Sequence, residues 1–206
     1  LRLRPAGDAA PLATLGAAIG NAIETREAID VLRGTGPADL VECTLALGAE
    51  MLMLGQVANT EAEARDKLRE AIANGKGARV FERMIEAQKG DPRVVEDPSR
   101  LPHAPVQMMV PALQEGFVGE IDSLELGLTG VAMGAGRTRA DQPVDHAVGI
   151  EVLAARGTKV ERGQPLAKLH VRTESAGEEI LARVQGAFRI TEMPGKTVPL
   201  VLGRIA

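Results

Sequence analysis

The residues best spaced to hold a ligand lie between Leu15 and Ile29. Gly16 and Gly20 stand just before Asn21, Glu24 follows three positions later, and Glu27 comes three after that. Asn followed at the third position by Glu is a helix-start signature: the Asn side chain accepts a first-turn N–H and the Glu reaches back. The spacing therefore predicts a helix beginning near Ala22. Leu15 to Ile19 is left as irregular backbone whose carbonyls no helix consumes, and Glu27 falls about a turn and a half inside the helix. Carbonyls and one carboxylate converging near a helix start suit a monovalent or hard divalent cation, which takes oxygen ligands. An ordinary capped helix with a solvated Glu27 uses the same residues, and residue types alone leave both readings open.

Elsewhere, reactive side chains are sparse. The serines are Ser99, Ser123 and Ser175, and the histidines are His103, His146 and His170. No serine sits beside a glycine-rich loop and no histidine is followed by serine. Cys43 lies far in sequence from every histidine and reads as a small core hydrophobe rather than a nucleophile. Gly134-Ala-Gly-Arg137 has the composition of an anion nest or of a tight turn. It lacks the Gly-Lys-Ser/Thr ending of a phosphate-binding loop, and the turn is the reading adopted.

The elements that must position these residues change character along the chain. A first helix is expected from Asn21 to about Arg33, stopped at Gly34 and Gly36. Within it Arg26 and Asp30 are one turn apart and are expected to pair. Pro37 and Asp39 open a second helix reaching about Leu54. It is apolar almost all round from Leu45 onward, the pattern of a buried helix. Thr60 caps a third helix, with Glu63 completing a capping box, as far as Asn74. A fourth runs from Ala78 to Gln88, with Val80, Phe81, Met84 and Ile85 on one side, and Asp91-Pro92 opens a short turn.

After Pro102 short strands are expected at 106–110, 116–121, 149–153, 165–171, 187–190 and 198–202. Between them lie a helix over 122–133, broken at Gly127, and an amphipathic helix over 174–184. Leu1 to Arg4 alternates like a strand and is followed by a loop. The fold class is therefore α+β. A helix-rich region spans 1–100 as part of an α/β domain, and a small β-rich, barrel-sandwich-like domain spans 101–206.

Composition narrows the function classes. The 206 residues are 45% hydrophobic with a net charge of −4, enough for a core and without the basic stripe that nucleic acid requires. A single cysteine excludes an internal disulfide framework and fits a reducing compartment. No apolar run approaches the roughly 20 residues that span a bilayer, nor does a signal peptide open the chain, so a cytoplasmic protein without membrane contact is expected. Aromatic residues make up only 1%, leaving Leu, Val, Ile, Met and Ala to form the core. The first residue is Leu rather than Met, which suggests a fragment or a processed product.

Several runs together resemble the later portion of the pyrimidine-nucleoside phosphorylases, the thymidine phosphorylase family. They are Ile19-Gly-Asn-Ala-Ile-Glu-Thr-Arg-Glu-Ala-Ile29, Gly36-Pro-Ala-Asp-Leu40 and Leu45-Ala-Leu-Gly-Ala-Glu-Met-Leu52, then Phe81-Glu-Arg-Met84 and Ala87-Gln-Lys-Gly90. Val131-Ala-Met-Gly-Ala-Gly-Arg137, Val148-Gly-Ile150 and Gly163-Gln-Pro-Leu-Ala167 complete the set. The resemblance covers nearly the whole chain in order and is poorest over Leu1–Thr14, where Pro11-Leu-Ala-Thr-Leu-Gly16 carries extra residues.

The resemblance implies a parent transferase that converts thymidine, deoxyuridine or uridine plus phosphate into free base and (deoxy)ribose 1-phosphate, acting as a homodimer. No cofactor is required. In relatives that bind a potassium ion the ligands from this region are two backbone carbonyls and a Glu side chain, which fall on Leu15, Ala18 and Glu27. The family's phosphate cradle is a Lys-His-Ser run followed by glycines, and its base is held by an Arg, a Ser and a Lys, all earlier than this chain begins. No catalytic or substrate-binding residue is accordingly assigned here, and the chain alone is expected to be inactive. The segment Gly157 to Gly163 with Gln-Pro-Leu-Ala also resembles a half-motif of lipoyl and biotinyl carriers. The region equivalent to their modified tip, Asp122 to Leu128, has no lysine, and the family's own small terminal sandwich accounts for the motif. A non-enzymatic binding or scaffold module that retains the phosphorylase C-terminal fold is the alternative reading.

Overall fold

A computed structural model describes residues 15–195 and 199–201. The expected strand and loop at 1–14 lie outside these residues, as does most of the strand expected at 198–202; Pro199, Leu200 and Val201 are not in a strand. The chain divides into two compact units, one of residues 26–100 and one joining 15–25 to 101–195.

The first unit is helical. Helix α1 (Ala22–Leu32) begins in the second unit and continues into the first. It ends at Gly34, whose φ of +81° is the left-handed conformation that glycine adopts without strain. The expected Arg26–Asp30 ion pair does not form among the described residues. Instead Asp30 accepts the Thr35 N–H and hydroxyl at its backbone carbonyl, closing the turn after the helix. Helix α2 (Ala38–Leu54) follows Pro37, and α3 (Glu61–Ala73) and α4 (Lys76–Ala87) complete the set.

At the start of α3 the Thr60 hydroxyl accepts the Glu63 N–H at 3.2 Å. The Glu63 carboxylate accepts the Asn59 N–H at 2.9 Å, one residue earlier than a standard capping box. Replacing Thr60 by Ala leaves a helix-start donor without its side-chain acceptor and is expected to cost about 1 kcal/mol. Urea unfolding of T60A against T60S, which keeps the hydroxyl, measures the loss.

One packed cluster of the unit joins Ala49, Ala58 and Ala64, with Leu52, Met53 and Leu68 half-buried against them, and Ile29, Val31, Leu45 and Val95 are buried as well. Two expectations are corrected here. The α2 helix is not buried on all sides, because Leu47, Met51 and Leu54 are exposed. The α4 helix buries no residue fully, and Val80 and Met84 on its apolar side face solvent. Cys43 is buried, as its reading as a core residue requires.

The second unit holds two antiparallel sheets. One has the strand order β1 (Ala18–Gly20), β4 (Gly149–Val152), β6 (Pro165–Val171), β2 (Val106–Pro111). The other has the order β5 (Lys159–Val160), β3 (Gly116–Ile121), β7 (Phe188–Thr191). Both contribute to a single hydrophobic cluster: Val110, Ile150 and Leu169 from the first, Val118, Val160 and Phe188 from the second. Helices α5 (Ser123–Ala132) and α6 (Glu174–Gly186) add Leu126 and Val184. This packing makes the unit a small sandwich, and the molecule is α+β. The short strands β1 and β5 went unread in the sequence, being three and two residues long. Helix α5 runs unbroken through Gly127, against expectation. A Cβ there would meet nothing within 4 Å, so this glycine lies on an open helix face and marks no interruption; its cost is only the modest helix-propensity penalty.

Candidate functional site

Part of the segment that opened the sequence reading forms, among the described residues, the end strand of the four-stranded sheet. Residues 18–20 are a strand, not irregular backbone: Ala18 lies opposite Glu151, Ile19 opposite Ile150, and Gly20 opposite Gly149. The Val152 N–H donates to the Ala17 carbonyl at 2.7 Å. In an antiparallel ladder, hydrogen-bonded and non-bonded pairs alternate. Ala17 and Ile19 therefore face β4 through their backbone, and the Ala18 carbonyl points away from β4. A sheet, rather than an unstructured loop, aims this candidate ligand.

The junction from β1 into α1 is fixed by three contacts. Glu24 accepts the Gly20 N–H through Oε1 at 3.0 Å, again one residue earlier than the capping box expects. Asn21 uses its side-chain Nδ2 to donate to the Ala135 carbonyl at 2.6 Å. The Ala22 N–H donates to the His146 carbonyl at 3.0 Å. Asn21 is thus spent on the Gly134–Arg137 turn, and two sequence motifs far apart in the chain meet at one hydrogen bond. That turn is not an anion nest. The Gly134 and Ala135 N–H groups donate to the carbonyls of Val131 and Gly130, finishing α5, and the Arg137 guanidinium donates to the Ala140 carbonyl at 3.2 Å.

Of the three residues that the resemblance assigns to a cation, Leu15 precedes β1 and Ala18 lies within it, both in the second unit. Glu27 is half-buried in the second turn of α1, in the part belonging to the first unit. Among the described residues no group of three or more His, Cys, Asp or Glu side chains is placed to hold a metal. The oxygen donors at the β1 edge are backbone carbonyls, the donor type of a hard cation.

Beside β1 the other face of the sheet carries half-buried and buried charged groups that the sequence reading did not assemble. Lys168 Nζ donates to Glu151 Oε2 at 2.9 Å, and His170 Nε2 lies 3.4 Å from the same oxygen. Burial pushes the Glu151 carboxyl up, but the Lys168 ammonium and His170 outweigh it and hold the group below the ordinary carboxylate range. The available signal was the alternation of 165–171, which puts Lys168 and His170 on one face. The register that brings Glu151 opposite Lys168 is decided by strand pairing.

Arg172 grips Asp145 through two short bonds, Nε to Oδ2 at 2.7 Å and Nη2 to Oδ1 at 2.6 Å. The guanidinium, helped by the Ala147 N–H, holds the Asp145 carboxyl below its usual value. A carboxyl depressed by folding stabilises the protein above the ordinary aspartate range and ceases to do so as pH falls through the folded value. D145N is therefore expected to melt below the unaltered protein at neutral pH, with the difference closing as pH falls below the ordinary aspartate range and through the depressed folded value. Thermal melts across pH check this; a gap that persists into acid would refute it.

A shallow cavity of about 820 Å³ runs along β3 and β7, lined by Glu115, Glu120, Glu192, Gln114, Arg189 and Met193 among others. Three carboxylates against one guanidinium do not suit an anion such as phosphate.

Residues 117–191 match the family model described as the pyrimidine nucleoside phosphorylase C-terminal domain. The chain is also 45% identical over 176 residues to a pyrimidine-nucleoside phosphorylase of Bacillus subtilis (strain 168). It belongs to the pyrimidine-nucleoside phosphorylase family. The alignment takes in 85% of this chain and 40% of the relative, so the chain spans well under half the length of that phosphorylase. The matched domain coincides with the sandwich from β3 through β7, and the wider alignment extends the kinship to most of the remaining residues.

Proposed function

We propose that this chain is the C-terminal portion of a pyrimidine-nucleoside phosphorylase, a pentosyltransferase. The parent enzyme carries out reversible phosphorolysis of thymidine or uridine to the base and (deoxy)ribose 1-phosphate. The observation that carries this reading is the 45% identity over 176 residues to the Bacillus phosphorylase. The part in hand supplies scaffold and not chemistry. Stabilising a departing pyrimidine and binding phosphate need aimed donors and a water-excluding pocket. Several of the second unit's basic side chains are committed elsewhere: Lys168 to Glu151, Arg172 to Asp145 and Arg137 to the Ala140 carbonyl.

The ligand contact proposed for this portion is a potassium ion. The resemblance places its ligands on the Leu15 and Ala18 carbonyls, with Glu27 as the side-chain ligand. The parent enzyme is proposed to be a cytoplasmic homodimer, in keeping with the single buried cysteine.

Phosphate-dependent release of thymine and uracil tests the proposal. The purified chain, its intact mass confirmed, is expected to release neither base. Release is expected once the remaining portion of the Bacillus phosphorylase is supplied in trans. Release by the chain alone would show that catalytic residues lie within it. Persistent silence of a demonstrated complex would favour the scaffold reading.

A further inference from the structure

The junction between α3 and α4 reads Ala73-Asn-Gly-Lys76. Of the asparagines Asn21, Asn59 and Asn74, only Asn74 precedes a glycine. The turn accounts for the pairing. Gly75 joins the two helices at φ +71°, a left-handed conformation that glycine takes without strain. Asn74 closes α3, and its side-chain Oδ1 accepts the Lys76 N–H at 3.0 Å, satisfying a first-turn donor of α4. Each residue suits the turn, and side by side they are chemically reactive. Gly75 has no side chain to hinder its amide nitrogen from attacking the Asn74 side-chain carbonyl.

The folded turn holds that attack back. Asn74 is exposed, so access of water does not limit it. Its φ of −92° and ψ of 4° turn the Gly75 nitrogen away from Cβ, whereas closing an imide ring needs the two nearly eclipsed. The Gly75 N–H is donated to the Ile72 carbonyl at 3.0 Å. The Asn74 carbonyl accepts from Arg79 Nη2 at 3.2 Å. Rotating the Asn74–Gly75 peptide into the reactive arrangement breaks both bonds.

We propose that Asn74 is a site of spontaneous deamidation, with water as co-reactant, and that opening of the α3–α4 junction sets its rate. In the opened turn the Gly75 nitrogen loses its proton to solvent and bonds to Asn74 Cγ. The side-chain nitrogen leaves as ammonia. Water then opens the cyclic imide at either carbonyl, giving aspartate or iso-aspartate at this position. The net change is one amide hydrolysed to one carboxylate. The aspartate product keeps an oxygen to cap Lys76 and puts negative charge at the start of α4, where the helix dipole favours it. The iso-aspartate product adds a methylene to the main chain between the helices and displaces the junction.

The test holds the purified 206-residue chain at mildly alkaline pH, with and without denaturing urea, and follows its peptides by mass spectrometry. The Asn74 peptide is expected to gain the amide-to-acid mass at least about tenfold more slowly in the folded chain, because only the locally opened population reacts. Urea below the unfolding transition should speed the gain. The peptides holding Asn21 and Asn59 should stay unchanged over the same interval. N74Q, whose longer side chain disfavours the ring, is expected to abolish the modification. Should N74Q not fold, the peptide map of the unaltered chain still assigns the site. Equal rates in folded and unfolded chain would overturn the gating by the junction. An Asn74 peptide that stays unmodified even in urea would overturn the site itself.

Discussion

Replacing Gly149 with alanine is expected to pry β1 from its sheet and lower the thermal midpoint of the second unit by roughly 10 °C or more. Gly149 and Gly20 face each other across the β4–β1 pair. A Cβ on Gly149 would come within 2.6 Å of the Ile19 carbonyl oxygen and 2.7 Å of Ile23 Cδ1. The first of these is backbone and cannot swing aside, so relief requires the strand to move. Inserting a methyl into a closed site of this kind costs about 2–3 kcal/mol. The damage reaches the candidate cation ligand too, because the pairing of β1 with β4 aims the Ala18 carbonyl. Calorimetry on G149A, beside G127A where the added methyl meets nothing, separates close approach from a general glycine effect. A midpoint equal to that of G127A would refute the argument.

Leu169→Ala is expected to cost about 3–4 kcal/mol. Leu169 is fully buried in β6, flanked by Ile150 on β4 and Met108 on β2. It lies in the one cluster that ties both sheets together with α5 and α6. Truncation removes its buried methyls and opens a cavity between strands whose register holds the walls apart. Guanidinium unfolding measures the loss, and L169M, nearly isosteric, should retain most of the stability. A loss below about 1 kcal/mol for L169A would mean that the site collapses to fill the gap.

The two substitutions show how differently the sheet's two faces depend on sequence. The buried face, with Ile150, Val152, Ala167 and Leu169, is readable from alternation, because a strand's period of two sorts apolar from polar residues. The other face cannot be read that way. Glu151, Lys168 and His170 are unremarkable one by one and become a cluster only when β4 and β6 align. Strand β1 shows the same limit. Three residues carry too little periodicity to declare a strand, and Ala18–Gly20 becomes one because β4 offers a partner. Asn21 and Glu24 made a good helix start legible, yet the Asn21 amide goes to Ala135, a partner 114 residues away.

The sequence by itself determined where the longer helices begin and end, the passage from helices to strands, and the kinship with pyrimidine-nucleoside phosphorylases. Those features reside in local chemistry: Pro37 opening α2, the Thr60 cap, Gly34 closing α1, and ordered runs of residues shared with the family. Tertiary structure alone decided which side of α2 is enclosed, which carbonyl of the Leu15–Ile19 segment faces outward, and which charges meet beside it. The physical reason is that burial, register and ion pairing depend on the partner an element finds.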